Sequence, residues 1–253
     1  MKGCLLFFII MLAAGSIRAQ TIVTDRPDQT ESSSTVPRRS MQIESGVLLR
    51  FTGDNLFSVK QLLIPTTLLR FGLTKSIELR VFNQFERINN QINDKETKGF
   101  SDLEIGAKIN LLSRADINTE IAIISHVVLP TGAAGLTLNS VGARNTLSVS
   151  HQLSKNTAIG YNFGYNHSGA GKGELTYTLA VGTGITEKLS VFFEPYGSLN
   201  AFYHKVNINA GLTYLLKDNF QLDFSLGTGV NHPMNFASAG FSWLMHNKPD
   251  NKN

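Results

Sequence analysis

From residue 40 almost to the end, apolar and polar side chains alternate with a period of two, and this pattern restricts the chain more than any other feature. Leu103, Ile105, Ala107, Ile109 and Leu111 alternate with Asp102, Glu104, Gly106, Lys108 and Asn110. Ile159, Tyr161, Phe163 and Tyr165 alternate with Gly160, Asn162, Gly164 and Asn166. Met41, Ile43, Val47, Leu49 and Phe51 share one face of a segment that carries Gln42, Glu44 and Arg50 on the other. Successive side chains of a strand point to opposite faces, so the pattern predicts β-structure. No segment beyond the first twenty residues reads better as a helix.

The periodic segments predict about twelve strands, at 40–52, 57–73, 76–88, 100–112, 117–130, 140–153, 157–167, 174–186, 189–199, 204–215, 219–230 and 235–244. Most reach the ~9–11 residues that a tilted strand needs to cross a bilayer, and exceed the ~5–6 of ordinary globular strands. Pro65 and Pro195 each remove a ladder donor, so a bulge or irregularity is expected at both. Every second connection is short, polar and similar, as in Leu73-Thr74-Lys75-Ser76, Leu153-Ser154-Lys155-Asn156 and Ile185-Thr186-Glu187-Lys188. The connections between them are longer or glycine-rich, the longest at 89–99 and 131–139. Short turns on one rim and variable loops on the other are the arrangement of a transmembrane barrel with both termini in the periplasm.

Periodicity alone does not say which face meets water, because a soluble sheet alternates too. The placement of charge decides it. Glu44, Arg50, Arg70, Glu78, Arg80, Glu86, Asp102, Glu104, Lys108, Glu120, Arg144, Glu174, Glu194 and Asp223 fall on the polar face, and the apolar face carries no charge away from the strand ends. Lipid imposes that rule, since Lys or Arg at the bilayer midplane costs ~2–4 kcal/mol. Phe51, Phe71, Phe85, Tyr165, Tyr214, Phe220 and Trp243 sit near strand ends, as an interfacial girdle requires. Closure into a barrel then satisfies every backbone group. The expected fold is therefore all-β, a closed antiparallel transmembrane β-barrel, in the outer membrane of a Gram-negative bacterium.

Four regions follow. Residues 1–19 read as a signal peptide, with Lys2 before the apolar run from Cys4 to Ala14 and cleavage expected after Ala19. Cleavage removes the single cysteine and both Lys2 and Arg18, which lowers the net charge from +4 to +2. The basic balance is thus no sign of nucleic acid, and no basic cluster is present. Residues 20–39 are polar and irregular, residues 40–245 form the barrel, and residues 246–253 are a polar tail. In the irregular segment Asp25, Arg26, Asp28 and Glu31 are candidates for a lumen plug that pairs with Arg50, Arg70 or Arg80. The alternative is a free periplasmic tail.

The polar-face charges, with His126, are the candidate lumen-lining residues. They either brace the barrel or select what passes. The same face is expected to carry Leu48, Leu62, Ile64, Leu68, Phe82, Ile124, Val128, Phe192 and Tyr196, so the lumen is amphipathic. Nucleophilic catalysis needs a histidine between a hydroxyl and an orienting acid. His126, His151 and His167 form no such constellation in sequence, and no metal-ligand spacing occurs. Neither a catalytic residue nor a cofactor is expected. The expected partners are outer-membrane lipid, a small solute and the barrel-assembly machinery.

Several stretches together resemble one family: Thr24-Asp25-Arg26-Pro27-Asp28-Gln29-Thr30-Glu31, Gln42-Ile43-Glu44, Ile64-Pro65-Thr66-Thr67-Leu68-Leu69-Arg70, Gly99-Phe100-Ser101-Asp102, Leu129-Pro130-Thr131-Gly132 and Phe193-Glu194. They are similar to the outer-membrane transporter family labelled for the meta pathway of phenol degradation, in its Bacteroidetes-type form. The resemblance implies a porin-like barrel that passes small hydrophobic or aromatic compounds. It implies no particular binding residues. The alternatives are a structural or ligand-binding barrel without transport, with loop 89–99 as its outer tip, and a barrel-embedded hydrolase.

Overall fold

The computed structural model describes residues 22–53, 59–114, 116–169 and 173–246. The expected signal peptide and most of the C-terminal tail lie outside the described residues. The described strands are β1 (Met41–Thr52), β2 (Val59–Gly72), β3 (Ile77–Asn90), β4 (Lys95–Phe100), β5 (Leu103–Arg114), β6 (Thr119–Leu129) and β7 (Gly142–Gln152). They continue as β8 (Thr157–His167), β9 (Glu174–Gly184), β10 (Leu189–Leu199), β11 (His204–Lys217), β12 (Phe220–Gly229) and β13 (Met234–Met245). Neighbouring strands pair antiparallel, except that β4 and β5 both pair with β3, and β1 pairs with β13 over its whole length. The sheet closes on itself.

The barrel wall has twelve strands, and β4 is a short extra one. The lower half of β3 pairs with β5 and its upper half with β4. The region expected as a loop at 89–99 is thus mostly a hairpin. β3 runs on to Asn90, turns through Asp94 at φ 51°, and returns along β4. Charged outward side chains here, such as Arg87 with Glu96, mark it as a projection beyond the lipid.

Three of the short turns are built alike. The hydroxyls of Thr74, Ser154 and Thr186 each accept the backbone N–H groups two and three residues on. Their shared composition reflects this turn chemistry. Pro65 sits in a register shift, which falls between Leu63 and Thr66 against β3 and between Gly46 and Leu48 against β1. The extra residue reverses facing in upper β2. Leu63 is buried there, while Ile64 is exposed, and Leu62 stands opposite outward-facing Leu49. Leu62 and Ile64 therefore do not face the lumen as expected, because strict alternation does not survive a bulge. At Pro195 the pairing to β9 lapses over Glu194 and Pro195 and resumes in the same register. That irregularity shifts nothing.

Burial is inverted relative to a soluble protein. Arg70, Glu78, Lys108 and Glu194 are fully buried, while Leu79, Ile105, Ile123, Val127, Leu147, Leu179, Leu222 and Phe224 are exposed around the outside. This exposed belt far exceeds the few hundred Å² of apolar patch that a soluble monomer tolerates, so its solvent is lipid. Phe71, Tyr214 and Trp243 are exposed near the short-turn rim, and Phe100 and Tyr165 near the long-loop rim. They form two aromatic girdles.

Candidate functional site: a lumen closed from below by the N-terminal segment

Residues 22–40 enter the lumen at the short-turn rim, rise, and descend again to β1. Ile22 N–H donates to the Asp218 carbonyl, and Arg39 N–H to the Gly72 carbonyl, so both ends are tied to that rim. Ile22 and Val36 pack together with Leu244 and Leu215 and close the bottom with apolar surface. Between these ends the segment makes polar contacts with nearly every wall strand.

Asp25 is the centre of the network. Its carboxylate lies 2.7 Å from Arg80, 3.1 Å from Lys108 and 3.5 Å from Arg70. Arg70 also pairs with Glu44 and Glu78, both at 2.8 Å, and Arg80 pairs with Glu78 at 2.9 Å and Glu31 at 2.8 Å. All of these side chains except Glu31 are almost wholly buried. Desolvating so many charges is costly, and each is compensated only because it has several partners. Wall cations from β2, β3 and β5 outnumber the wall acids among them, and Asp25 restores the balance.

Arg26 points to the adjoining wall of β2, β1, β13 and β12. It binds Asp223 at 2.9 Å and donates to Ser238 and Thr66. Its guanidinium lies over Gly46 and Gly240, paired residues of β1 and β13. A Cβ at either glycine would come within 2.6 Å of Arg26. The missing side chains make the berth. Beyond Arg26, Gln29 N–H donates to Glu194, and the Thr30 hydroxyl lies 2.6 Å from both Glu194 and Thr178. Glu31 N–H donates to Asn162, Ser33 and Ser34 hydroxyls meet Glu120, and Val36 N–H meets Glu78.

Above the segment the lumen holds a cavity of about 620 Å³ that extends toward the long-loop rim. Its floor includes Asp25, Arg26, Asp28, Gln29 and Glu31, and its wall includes Glu44, Arg50, Arg80, Glu104, His126 and Arg144. Leu68, Phe82, Ile124 and Tyr196 supply apolar surface. Arg80 Nε donates to His126 Nε2 at 3.0 Å, which leaves His126 Nδ1 facing Glu104 at 3.4 Å. Arg144 pairs with Glu104 at 3.1 Å and is half exposed.

The expected lumen residues thus divide. Glu44, Arg70, Glu78, Arg80, Lys108, Glu120, Glu194 and Asp223 contact the N-terminal segment. Arg50, Glu104, His126 and Arg144 line the open cavity above. Glu86 is buried near the top and bonds Gln61 and Gln84. Two expectations are corrected. Arg50 does not pair with the segment; it lies too high on β1 and donates to Gln61 instead. Asp102 does not line the cavity. It sits in the break between β4 and β5, where it accepts the N–H groups of Gly132 at 2.8 Å and Leu138 at 2.7 Å. Burial raises its carboxyl, and those N–H groups more than offset this, so it titrates below the ordinary carboxylate range. The sequence reading missed the polar backbone contacts of residues 29–36 and the berth at Gly46 and Gly240. A pair of lumen-facing glycines in one register was the available signal.

A closed barrel with a lipid belt outside and a charged, partly filled lumen is an outer-membrane barrel. The chain belongs to the family described as "Putative MetA-pathway of phenol degradation", which matches residues 24–245. No curated protein matches the chain in sequence. Among solved structures it is similar to an outer-membrane channel of Pseudomonas putida F1, with a TM-score of 0.67 and 13% identity, covering 84% of this chain and 98% of that one. It is also similar to the KdgM porin in complex with disordered oligogalacturonate, with a TM-score of 0.56 and 12% identity over 81% of this chain and 99% of that one. The toluene transporter TodX of Pseudomonas putida gives a TM-score of 0.52 and 8% identity over 85% of this chain and 96% of that one. These likenesses establish the outer-membrane barrel fold.

Proposed function

We propose that this protein is a passive outer-membrane channel for small hydrophobic or aromatic compounds, with residues 22–36 as its plug. The observation that carries the reading is the cavity itself, a lumen chamber with apolar Leu68, Phe82, Ile124 and Tyr196 on its wall and the N-terminal segment as its floor. The names of the similar structures support it, since they include a toluene transporter and other outer-membrane channels. Fold alone hosts many functions, so the lining carries the argument. A hydrolase is the weaker reading. Both ring nitrogens of His126 are engaged, by Arg80 and Glu104, which leaves none for a nucleophile.

Solute-specific swelling of proteoliposomes, in arabinose and in benzoate, tests the channel and the plug together. The intact protein is expected to swell slowly, and a variant lacking residues 22–36 several-fold faster. No swelling by either form in either solute removes the channel. Equal swelling by both removes the plug.

A further inference from the structure

We propose that the upper cavity holds a binding subsite for an aromatic monocarboxylate, built by Arg50 and Tyr196. The inference rests on the channel reading and names the solute class that its chamber recognises.

Two polar groups of the cavity wall are left without partners. Arg50 lines the cavity, and its Nε is buried and unpaired. Its one hydrogen bond goes to the neutral amide of Gln61, and no carboxylate lies within ion-pair distance among the described residues. A buried donor without a hydrogen bond is costly, so one that faces a chamber calls for an occupant. Tyr196 also faces the cavity and has no hydrogen-bond partner for its hydroxyl among the described residues.

Arg26, Arg80 and Arg144, the other cations of the lining, are each bound to an acid. Arg50 is therefore the one guanidinium of the lining free to take a ligand's carboxylate, with the Tyr196 hydroxyl as a further donor. The body of the ligand follows from the rest of the wall. Leu68 and Phe82 face each other in the β2–β3 ladder and give apolar surface for a ring.

The limit to one negative charge comes from Glu174, which lines the cavity and has no ion-pair partner among the described residues. A second carboxylate would meet this acid, and like charges in a confined space repel.

Isothermal titration of the detergent-solubilised full chain tests the site with benzoate, benzyl alcohol and terephthalate. Benzoate is expected to bind at least tenfold more tightly than benzyl alcohol, which keeps the ring and lacks the charge. Terephthalate is expected to bind more weakly than benzoate. Arg50→Gln should weaken benzoate about tenfold or more, leave benzyl alcohol unchanged, and keep the far-UV circular dichroism of the barrel. Glu174→Gln should selectively improve terephthalate. Equal binding of benzoate and benzyl alcohol, no binding of benzoate, or an unchanged benzoate affinity in Arg50→Gln overturns the proposal. The swelling assay separates the two readings. Swelling without benzoate preference sinks the subsite and leaves the channel. Benzoate binding without swelling by either form leaves the subsite and sinks the channel.

Discussion

Asp25 shows how one residue sets the state of the lumen. Three buried cations converge on its carboxylate. Asp25→Asn keeps the shape and removes the charge. Breaking a buried pair by neutralising one partner costs ~3–5 kcal/mol. The N-terminal segment is held by this centre, so the expected outcome is its release while the barrel persists. Hydrogen exchange at the Asp25 and Gln29 amides, now bonded to Glu44 and Glu194, should accelerate by orders of magnitude. Unchanged protection would mean that the other contacts suffice.

Asp102 works at the same scale on the other rim. Its two bonds tie the loop at 130–141 to the β4–β5 break. Its folded pKa lies below the unfolded one, so its contribution is complete above the unfolded carboxylate value of about 4 and is lost as pH falls through the lower folded value. Exchange at Gly132 and Leu138 should therefore be slow at pH 7 and lose its protection only in strong acid. In Asp102→Asn that pH dependence should be absent. An Asp102→Asn protein with the wild-type acid profile would assign the effect elsewhere.

At the scale of the strand, one residue of displacement separates lipid from lumen. Phe224 is exposed at the middle of β12, and its neighbours Asp223 and Ser225 are buried inside. Phe224→Arg should destabilise the barrel in phospholipid by ~2–4 kcal/mol, whereas Thr146→Arg, into the cavity, should cost little. Equilibrium unfolding by guanidinium from liposomes measures both, and equal costs would contradict the facing assigned here. The strands were largely legible because alternation is a local property. Facing in upper β2 was not, since Pro65 announces an irregularity but not which residue it expels. The β3–β4 hairpin was missed for a related reason. Asn93, Asp94, Lys95 and Glu96 are turn-like and polar, and only the cross-strand ladder to β3 makes part of that stretch a strand.

Across the whole molecule, the wall and the segment are electrostatic complements. Arg70, Arg80 and Lys108 cluster on β2, β3 and β5, and Asp223 and Glu194 lie on β12 and β10. Asp25 and Glu31 face the first group, and Arg26 faces Asp223. A barrel without residues 22–36 keeps these wall charges and loses their partners. Water and salt would enter, so its thermal stability should rise between 0.05 M and 1 M salt as screening shortens to about 3 Å, while the intact protein, with its charges paired and dry, should respond weakly. Parallel responses would argue against the complementarity.

Sequence by itself determined the closed β-barrel, its membrane setting and which face of most strands carries charge. Those follow from period-two alternation and from the cost of charge in lipid, and both can be read one residue at a time. Tertiary structure decided which charges meet. Asp25 finds Lys108 across 83 positions, and Arg26 finds Asp223 across 197. Only the curvature of the closed wall and the path of the segment within it bring those groups into one dry volume.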